Sequence, residues 1–317
     1  MADDLRERVR ATGLLAVGAD VLVLLSGGRD SVCLLDVAVQ LGCAARALHV
    51  NYGLREGADG DEAHCRELCA RLGVELSVHR AHRPDDAPGN LQAWARDVRY
   101  AHATSEAGAG TIAVAHTASD QAETILYRLA VSPGRRALLG MQPRSGRLVR
   151  PLLGVTREET GAWCRSRGLQ WRDDPTNETD DYARGRVRAR LLPALEAVDP
   201  RAAANVVRTA ELLREEAAVL DVVVDTALAG RDRIAREQLA ELPTALARLV
   251  VRRLAEAATG ELCARAATRL DDILALGDTG ALDVGDGARA VVEGGVVRFE
   301  PTPPLPIGPP TGGNRPA

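Results

Sequence analysis

The chain has 317 residues, of which 46% are hydrophobic and only 3% aromatic, and its formal net charge is −4. This length suits two domains, and a core must be built mainly from aliphatic side chains. All 40 basic residues are arginine, which excludes enzyme classes that depend on a Walker A lysine or a Schiff-base lysine.

The first half of the chain alternates short apolar runs with helical patterns. Strands are predicted at 21–25, 46–50, 74–78 and 111–115, and helices at 31–41, 61–72, 90–107 and 121–129. Continuous apolar strands separated by helices are typical of a parallel sheet that is covered on both faces. The pattern therefore predicts a doubly wound α/β fold.

The second half differs in composition. A loop rich in Gly, Pro and Arg is predicted at 133–151, and a helix at 156–167 with Thr156 and Glu159 spaced as a capping box. Amphipathic helices at 201–228 and 244–258 precede a hairpin of strands at 288–292 and 296–299. We predict a first domain at 1–200, a mostly helical second domain at 201–300, and a disordered Pro/Gly-rich tail at 301–317.

The six cysteines contain no C-x-x-C pair. Cys65 and Cys69 lie four residues apart on a predicted helix, a spacing that favours packing over metal binding. The acidic start is not followed by a secretory segment, and the apolar runs are too short to span a bilayer. A cytoplasmic protein with reduced thiols is expected.

The sharpest motif is a six-residue loop between a predicted strand and a predicted helix. It consists of Ser26, Gly27, Gly28, Arg29, Asp30 and Ser31. The glycines permit close approach of the backbone to a ligand, and the N–H groups of the helix start converge on an anion. Asp30 fits this site if it holds Mg²⁺ that bridges phosphate oxygens. A capped strand–helix turn without a ligand is the alternative.

Further segments accompany this loop in a fixed order. They are His49–Arg55, Asn90–Arg96 with Arg99 and Tyr100, Ala115–Thr124, Leu138–Met141, Arg150–Leu153, Asp173–Asn177 and Tyr182–Arg188. With the S-G-G-x-D-S loop, the set resembles the tRNA(Ile)-lysidine synthetase family of N-type ATP pyrophosphatases, the PP-loop enzymes. The resemblance covers residues 20 to 195.

The resemblance implies an enzyme that uses ATP and Mg²⁺ to join free L-lysine to the wobble cytidine of a CAU-anticodon isoleucine tRNA. The cytidine C2 oxygen attacks the α-phosphate, and the lysine ε-amine then attacks C2 and expels AMP. The loop Ser26–Ser31 would bind ATP, with Asp30 at the metal. Catalytic roles would fall to Asp30, Arg96, His116, Asp120, Glu123 and Arg188. The oligomeric state stays open.

Asp120 and Glu123 lie three residues apart on one helix face beside His116. Two carboxylates in this position suit the ammonium group of a free amino acid. The alternative is a helix start that uses acids to meet its dipole. Proximity to the phosphate loop favours the lysine-binding interpretation.

Arginines are concentrated beside the predicted site. No Asp or Glu occurs from Thr124 to Arg157. The candidates for tRNA contacts are Arg128, Arg135, Arg136, Arg144, Arg147, Arg150, Arg184 and Arg186. Two basic runs that flank one site favour a polyanionic partner over an ordinary solvated loop.

The chain departs from the family pattern at four positions, Tyr52, Thr117, Ser119 and Gly185, and we interpret these as lineage drift. Two alternatives to the synthetase reading stay open. One is another PP-loop enzyme, such as a tRNA thiolase or an NAD or GMP synthetase, although a thiolase usually needs the cysteine pair that is absent here. The other is a silent paralogue that binds RNA or nucleotide.

Overall fold

The computed structural model describes residues 2–54, 57–84, 90–132, 134–172 and 183–303. The first part of the chain contains α1 (Ala2–Ala11), β1 (Asp20–Leu24), α2 (Arg29–Gln40), β2 (Ala44–Asn51), α3 (Ala58–Leu72), β3 (Glu75–Arg80), α4 (Leu91–Glu106), β4 (Thr111–Ala113), α5 (Ala118–Val131), α6 (Arg135–Leu138), β5 (Arg144–Ser145), β6 (Leu148–Val149) and α7 (Arg157–Ser166). The chain divides into two compact units, residues 1–214 and 215–317.

The later elements begin after residue 182. They are α8 (Ala183–Arg186), a π-helical turn (Val187–Leu191), α9 (Leu192–Val198), α10 (Ala202–Leu228), β7 (Arg233–Ala235), α11 (Arg236–Glu241), α12 (Thr244–Thr259), a 3₁₀ turn (Ala266–Arg269), α13 (Leu270–Leu274), β8 (Thr279–Gly285), β9 (Ala288–Glu293) and β10 (Val296–Pro301). Within the described ranges, no helix combines the length and apolarity that crossing a bilayer requires.

The first unit is built on a six-stranded sheet in the order β3-β2-β1-β4-β6-β5. All neighbours are parallel except β5 and β6. Strand order reverses between β1 and β4, because β2 and β3 extend the sheet on one side and β4 on the other. The carboxyl edge beside β1 is therefore the place where such sheets bind ligands.

Both faces of this sheet are buried, as the apolar strands predicted. Alternate residues of β1 point to opposite faces: Val21 and Val23 belong to a core that includes α2, α3 and α7, whereas Leu22 and Leu24 pack with Ala103 of α4. The doubly wound α/β fold is confirmed. The four predicted helices and four predicted strands of this half are present, with bounds shifted by up to three residues.

The second unit has its own core, formed between α12 and a four-stranded antiparallel sheet in the order β7-β10-β9-β8. The hairpin around Gly294 and Gly295 is present as β9 and β10. The prediction missed β7 and β8, so this unit is less helical than expected. The division between the units falls inside α10, after Arg214, rather than at the predicted position after residue 200.

Two predictions from composition need correction. The segment 133–151 is not one continuous loop, because its described part contains α6 and the pair β5–β6. Strands of two residues are too short to show a periodic pattern. The predicted tail begins too early, since Pro301 ends β10 and pairs with Ala288; residues 304–317 lie outside the described residues.

Candidate active site

The six-residue loop joins the carboxyl end of β1 to the start of α2. Gly27 has φ +84°, and a Cβ there would lie 3.2 Å from Cys65 Sγ, so the position needs glycine. The Ser31 hydroxyl donates to the Gly28 carbonyl (2.8 Å) and accepts from the Ser26 N–H (3.2 Å). The loop is thus held in shape by its own serines, with the N-terminal N–H groups of α2 available for an anion.

Asp30 lies in the first turn of α2, half-buried. Its Oδ1 accepts a hydrogen bond from Thr160 Oγ1 (2.5 Å), and its Oδ2 lies 3.8 Å from Arg157 Nε. No set of three metal-ligating side chains occurs in the described part of the chain. A single carboxylate beside a phosphate loop is nevertheless the environment that Mg²⁺ takes when substrate phosphates and water complete its shell.

The two carboxylate oxygens of Asp120 have different partners. Oδ2 accepts from the N–H and hydroxyl of Thr117 (2.8 and 2.9 Å), which completes a capping box at the start of α5. Oδ1 lies 3.2 Å from Arg157 NH2 and 3.8 Å from Arg188 NH2. The helix-capping alternative therefore describes one oxygen of Asp120, and the other faces the site.

Glu123 is 4% exposed and is held by Arg188 through two bonds, Nε to Oε1 at 2.6 Å and NH2 to Oε2 at 2.8 Å. The hydrogen bond to Glu123 raises the pKa of Arg188. Arg157 joins Asp30 to Asp120, with its Nε 3.8 Å from Asp30 Oδ2 and its NH2 3.2 Å from Asp120 Oδ1. Three carboxylates and two guanidinium groups thus form one carboxylate–arginine network (Asp30, Asp120, Glu123, Arg157 and Arg188), and the structure brings together four of the six predicted catalytic residues.

His116 follows β4 and precedes this network. Burial lowers the pKa of its imidazole to about 4; the charges of Arg150, Arg99 and Arg96 act in the same direction, and Asp120 opposes them. The ring is therefore neutral at pH 7. Its Nδ1 is buried with no partner among the described residues. A neutral imidazole in this position can donate or accept a hydrogen bond but does not supply a fixed positive charge.

Arg96 lies on α4 with its guanidinium carbon 4.9 Å from the centroid of the Tyr100 ring, and Arg99 lies 5.6 Å from the same centroid. Arg150 comes directly after β6 and is 8% exposed. Burial lowers the pKa of Arg150, and the neighbouring Arg96 and Arg128 lower it further. Positive charge is therefore concentrated beside His116.

The other predicted RNA-contacting arginines are spread over several elements. Arg128 donates to the Gly140 carbonyl (2.6 Å), and Arg184 lies 5.8 Å from the Tyr127 ring centroid. Arg147 bonds the carbonyl of Gly108, which precedes β4, so it lies at the amino edge of the sheet. The remaining four are on α6 (Arg135 and Arg136), on β5 (Arg144) and on α8 (Arg186).

A comparison with protein families matches residues 5–195 to the model described as a PP-loop domain. A tRNA(Ile)-lysidine synthase from Gloeobacter violaceus is 36% identical over 266 residues, which cover 78% of this chain and 81% of that protein. The chain belongs to the tRNA(Ile)-lysidine synthase family of PP-loop proteins.

Other members of this family are longer. The tRNA(Ile)-lysidine synthases of Solibacter usitatus and Thermus thermophilus are each 38% identical, over 78% and 94% of this chain. The matches cover 59% and 60% of those two proteins. The chain thus spans about three-fifths of the length of these curated relatives.

A solved structure with the same fold is the U34-tRNA thiolase NcsA from Methanococcus maripaludis, described with its [4Fe-4S] cluster. It superposes with a TM-score of 0.55 at 20% identity, over 67% of this chain and 78% of that chain. This likeness shows that the two proteins share a fold.

Two site residues of this family member were not assigned from the sequence. Thr160 is fully buried on α7 and donates to Asp30, and Arg157 bridges Asp30 and Asp120. The capping box at Thr156 fixes the start of α7, so the sequence did place Arg157 in the first turn and Thr160 one turn later. The sequence pattern does not show that α7 packs on α2, and this packing brings Arg157 and Thr160 to the loop.

Two of the four departures from the family pattern have clear structural roles. Thr117 is the N-cap of α5 and supplies the hydroxyl of its capping box. Tyr52 donates its hydroxyl to the Ala95 carbonyl (2.9 Å) and packs edge-on against Trp94, with ring centroids 5.8 Å apart. These side chains hold α4 and α5 in place. The motif Asp173–Asn177 and Tyr182 lie outside the described residues.

Proposed function

We propose that this protein forms lysidine, joining free L-lysine to C2 of the wobble cytidine of CAU-anticodon isoleucine tRNA at the cost of ATP. The observation that carries the proposal is the position of the Ser26–Ser31 loop, at the carboxyl edge of the sheet and bonded through Asp30 to the carboxylate–arginine network. Family membership supports the same reaction.

The loop binds the β and γ phosphates of ATP through N–H groups at the start of α2. Asp30 is the residue suited to hold Mg²⁺, which when bound neutralises phosphate charge. The cytidine C2 oxygen attacks the α-phosphate and releases pyrophosphate. Arg96 places positive charge against the reacting phosphate, and neutral His116 hydrogen-bonds to it.

In this proposal, an ammonium group of lysine binds to the carboxylates of Asp120 and Glu123 on α5. Glu123 is already engaged by Arg188, so an incoming ammonium exchanges with that guanidinium. Arg188 is then free to pair with the phosphate of the adenylated base. The amine attacks C2, AMP leaves, and the decoding of the anticodon changes from AUG to AUA.

The proposed substrates indicate where in the cell the protein acts. A tRNA and free lysine meet in the cytoplasm, and the arginines beside His116 suit the RNA backbone. The wobble base must leave its stack to reach the α-phosphate. Because Trp94 and Tyr52 pack against each other, base recognition relies on arginine and backbone groups more than on stacking.

The decisive test is a mass spectrum of the anticodon fragment of a CAU-anticodon isoleucine tRNA after incubation with the full chain, Mg-ATP and lysine. We expect the mass of the wobble cytidine to rise by lysine less one water, with methionine tRNA unmodified as the control. Consumption of ATP without this product would assign the chain to another PP-loop reaction. Neither product nor ATP consumption would indicate a silent paralogue.

A further inference from the structure

Within the described ranges, the arginines around Tyr100 and His116 have no carboxylate partners of the kind that other arginines of the site have. Arg157 and Arg188 each lie within 4.0 Å of two carboxylates. Arg96, Arg99 and Arg150 have no ion pair within the described parts of the chain, although Arg96 and Arg99 both lie over Tyr100. This side of the site therefore carries uncompensated positive charge.

Several buried polar atoms here have no partner among the residues that the structure describes. Arg150 is 8% exposed, and its NH1 donates to the Gln142 carbonyl at 2.7 Å. Its Nε has no partner among described residues, and the same holds for Arg99 Nε, the Tyr100 hydroxyl and His116 Nδ1. Buried polar atoms are nearly always satisfied, so four such atoms in one neighbourhood indicate a missing polar ligand.

The topology explains why these residues meet. His116 and Arg150 follow the carboxyl ends of β4 and β6, which are adjacent and parallel. The helix α4 begins at the same edge, because it leads from β3 to β4; Arg96 lies in its second turn and Arg99 near its middle. Arg147, only three residues before Arg150, lies at the amino edge instead.

The charged row continues beyond Arg150. Arg128 donates to the carbonyl of Gly140 (2.6 Å), two positions before the Gln142 carbonyl that Arg150 bonds. Arg184 lies 5.8 Å from the ring centroid of Tyr127, the residue next to Arg128. Burial lowers the pKa of both Arg150 and Arg128, and a neighbouring arginine lowers each further. Successive guanidinium groups that repel one another suit a polyanion, whose regularly spaced phosphates neutralise each in turn. A single phosphate of ATP would satisfy only one end of the row.

We propose that Arg99 and Arg150, with Tyr100, form a binding site for a backbone phosphodiester of the RNA substrate. It lies beside Arg96 and His116, which serve the reacting phosphate, and Arg128 and Arg184 extend it to the neighbouring phosphates. The site rests on the proposed function for the identity of the RNA. Of the arginines between Thr124 and Arg157, the site contains Arg128 and Arg150 but not Arg147. It also contains Arg99 of α4, which the sequence had not indicated as an RNA contact.

The test is a titration of fluorescent anticodon stem-loop RNA with the full chain and its Arg150→Gln, Arg99→Gln and Arg147→Gln variants at several salt concentrations. We expect Arg150→Gln and Arg99→Gln each to weaken RNA binding about tenfold and to reduce the salt slope by about 0.7–0.9, the loss of one phosphate contact. Arg147→Gln is the matched control and should leave both unchanged. The affinity for a non-hydrolysable ATP analogue should not change in any variant.

Four outcomes would overturn the proposal. Weaker ATP-analogue binding with unchanged RNA binding would assign the site to a nucleotide phosphate. If Arg147→Gln weakens RNA binding as much as the other two variants, binding depends on the total positive charge and not on a specific site. If the folded Arg99→Gln and Arg150→Gln variants bind RNA as tightly as the wild type, the phosphodiester site is wrong but the proposed function stands. No RNA binding by the wild-type chain would reject it together with the proposed function. Arg99 is half-buried on a helix surface, so its variant decides the matter even if Arg150→Gln does not fold.

Discussion

Arg188 and Glu123 form a two-bonded ion pair, with N–O distances of 2.6 and 2.8 Å, between the π-helical turn and the buried face of α5. The widened turn sets the direction of the Arg188 side chain, since π-helical turns change the alignment of residues on a helix. The pair closes the carboxylate–arginine network at the end remote from Asp30.

Removal of Arg188 should therefore destabilise the first unit. Arg188→Ala leaves Glu123 buried and unpaired, and we expect the free energy of unfolding to fall by about 2–4 kcal/mol. Urea unfolding followed by tryptophan fluorescence measures this unit alone, because Trp94, Trp163 and Trp171 all lie in it. Arg201→Ala, which breaks an exposed pair with Asp199, is the control. Equal stability of the two variants would contradict the assigned role.

Asp30→Asn tests the phosphate loop without disturbing its packing. The amide oxygen still accepts from Thr160, but the charge that suits Mg²⁺ is lost. We expect pyrophosphate release to fall by about 100-fold or more, with the melting temperature unchanged. Asp20→Asn, at the opposite end of β1 beside Arg46, should retain activity. Wild-type release by Asp30→Asn would remove Asp30 from the mechanism.

Thr160 should act as a positioning residue for Asp30. Thr160→Val keeps the shape but removes the donor, and we expect kcat to fall about tenfold, equivalent to ~1.4 kcal/mol. Thr160→Ser should restore most of the activity, because its hydroxyl reaches the same carboxylate. If Thr160 had only a structural role, Thr160→Val and Thr160→Ser would differ from the wild type in melting temperature but not in kcat. Steady-state pyrophosphate assays on the three proteins make the comparison.

The lowered pKa of His116 predicts a pH-dependent stability. Its folded pKa, about 4, lies below the ordinary value of 6.5, so the unfolded chain binds the proton more tightly. The stability from neutral His116 is complete above pH 6.5 and is lost as pH falls toward 4, by up to about 3 kcal/mol.

In the His116→Gln variant, the free energy of unfolding should depend less on pH between 6.5 and 4. The difference between wild type and variant, measured by urea unfolding from pH 7.5 to 4.5, isolates His116 from other groups. Glu62 also has a lowered pKa, about 2, but its stability is lost only below pH 4.5. A His64→Gln control accounts for the other histidine whose pKa burial lowers. Parallel profiles for wild type and His116→Gln would refute the prediction.

The predictable parts of this molecule are those written in local patterns. The strand at 21–25, the loop after it and the capping box at Thr156 follow from periodicity and short spacing, and each lies within a few residues of its predicted position. The Ser26–Ser31 loop could be located between a strand and a helix because its glycines, its serines and the apolar strand before it are contiguous.

The unpredicted parts depend on contacts between distant segments. Asp36, fully buried on α2, accepts from Nε1 of Trp163 on α7 (2.9 Å) and from Nε of Arg167, the residue after α7 (3.1 Å). No sequence pattern links residues 127 or more positions apart, yet this junction carries Thr160 to Asp30. In the same way, α4 carries Arg99 to Arg150 through the sheet order alone, and the two-residue strands β5 and β6 form only because β4 offers them an edge.

The Cys65 thiol, 3.2 Å from the place where a Cβ on Gly27 would stand, has a consequence for substitutions at position 65. The volume allowed at position 65 is set by a loop 38 positions away, so a Leu or Met there would displace the loop although neither side chain meets a substrate. The shape of the loop therefore limits a position that lies in α3 and outside the loop itself. Substitutions by small residues such as Ala and Ser are the ones that leave the loop undisturbed.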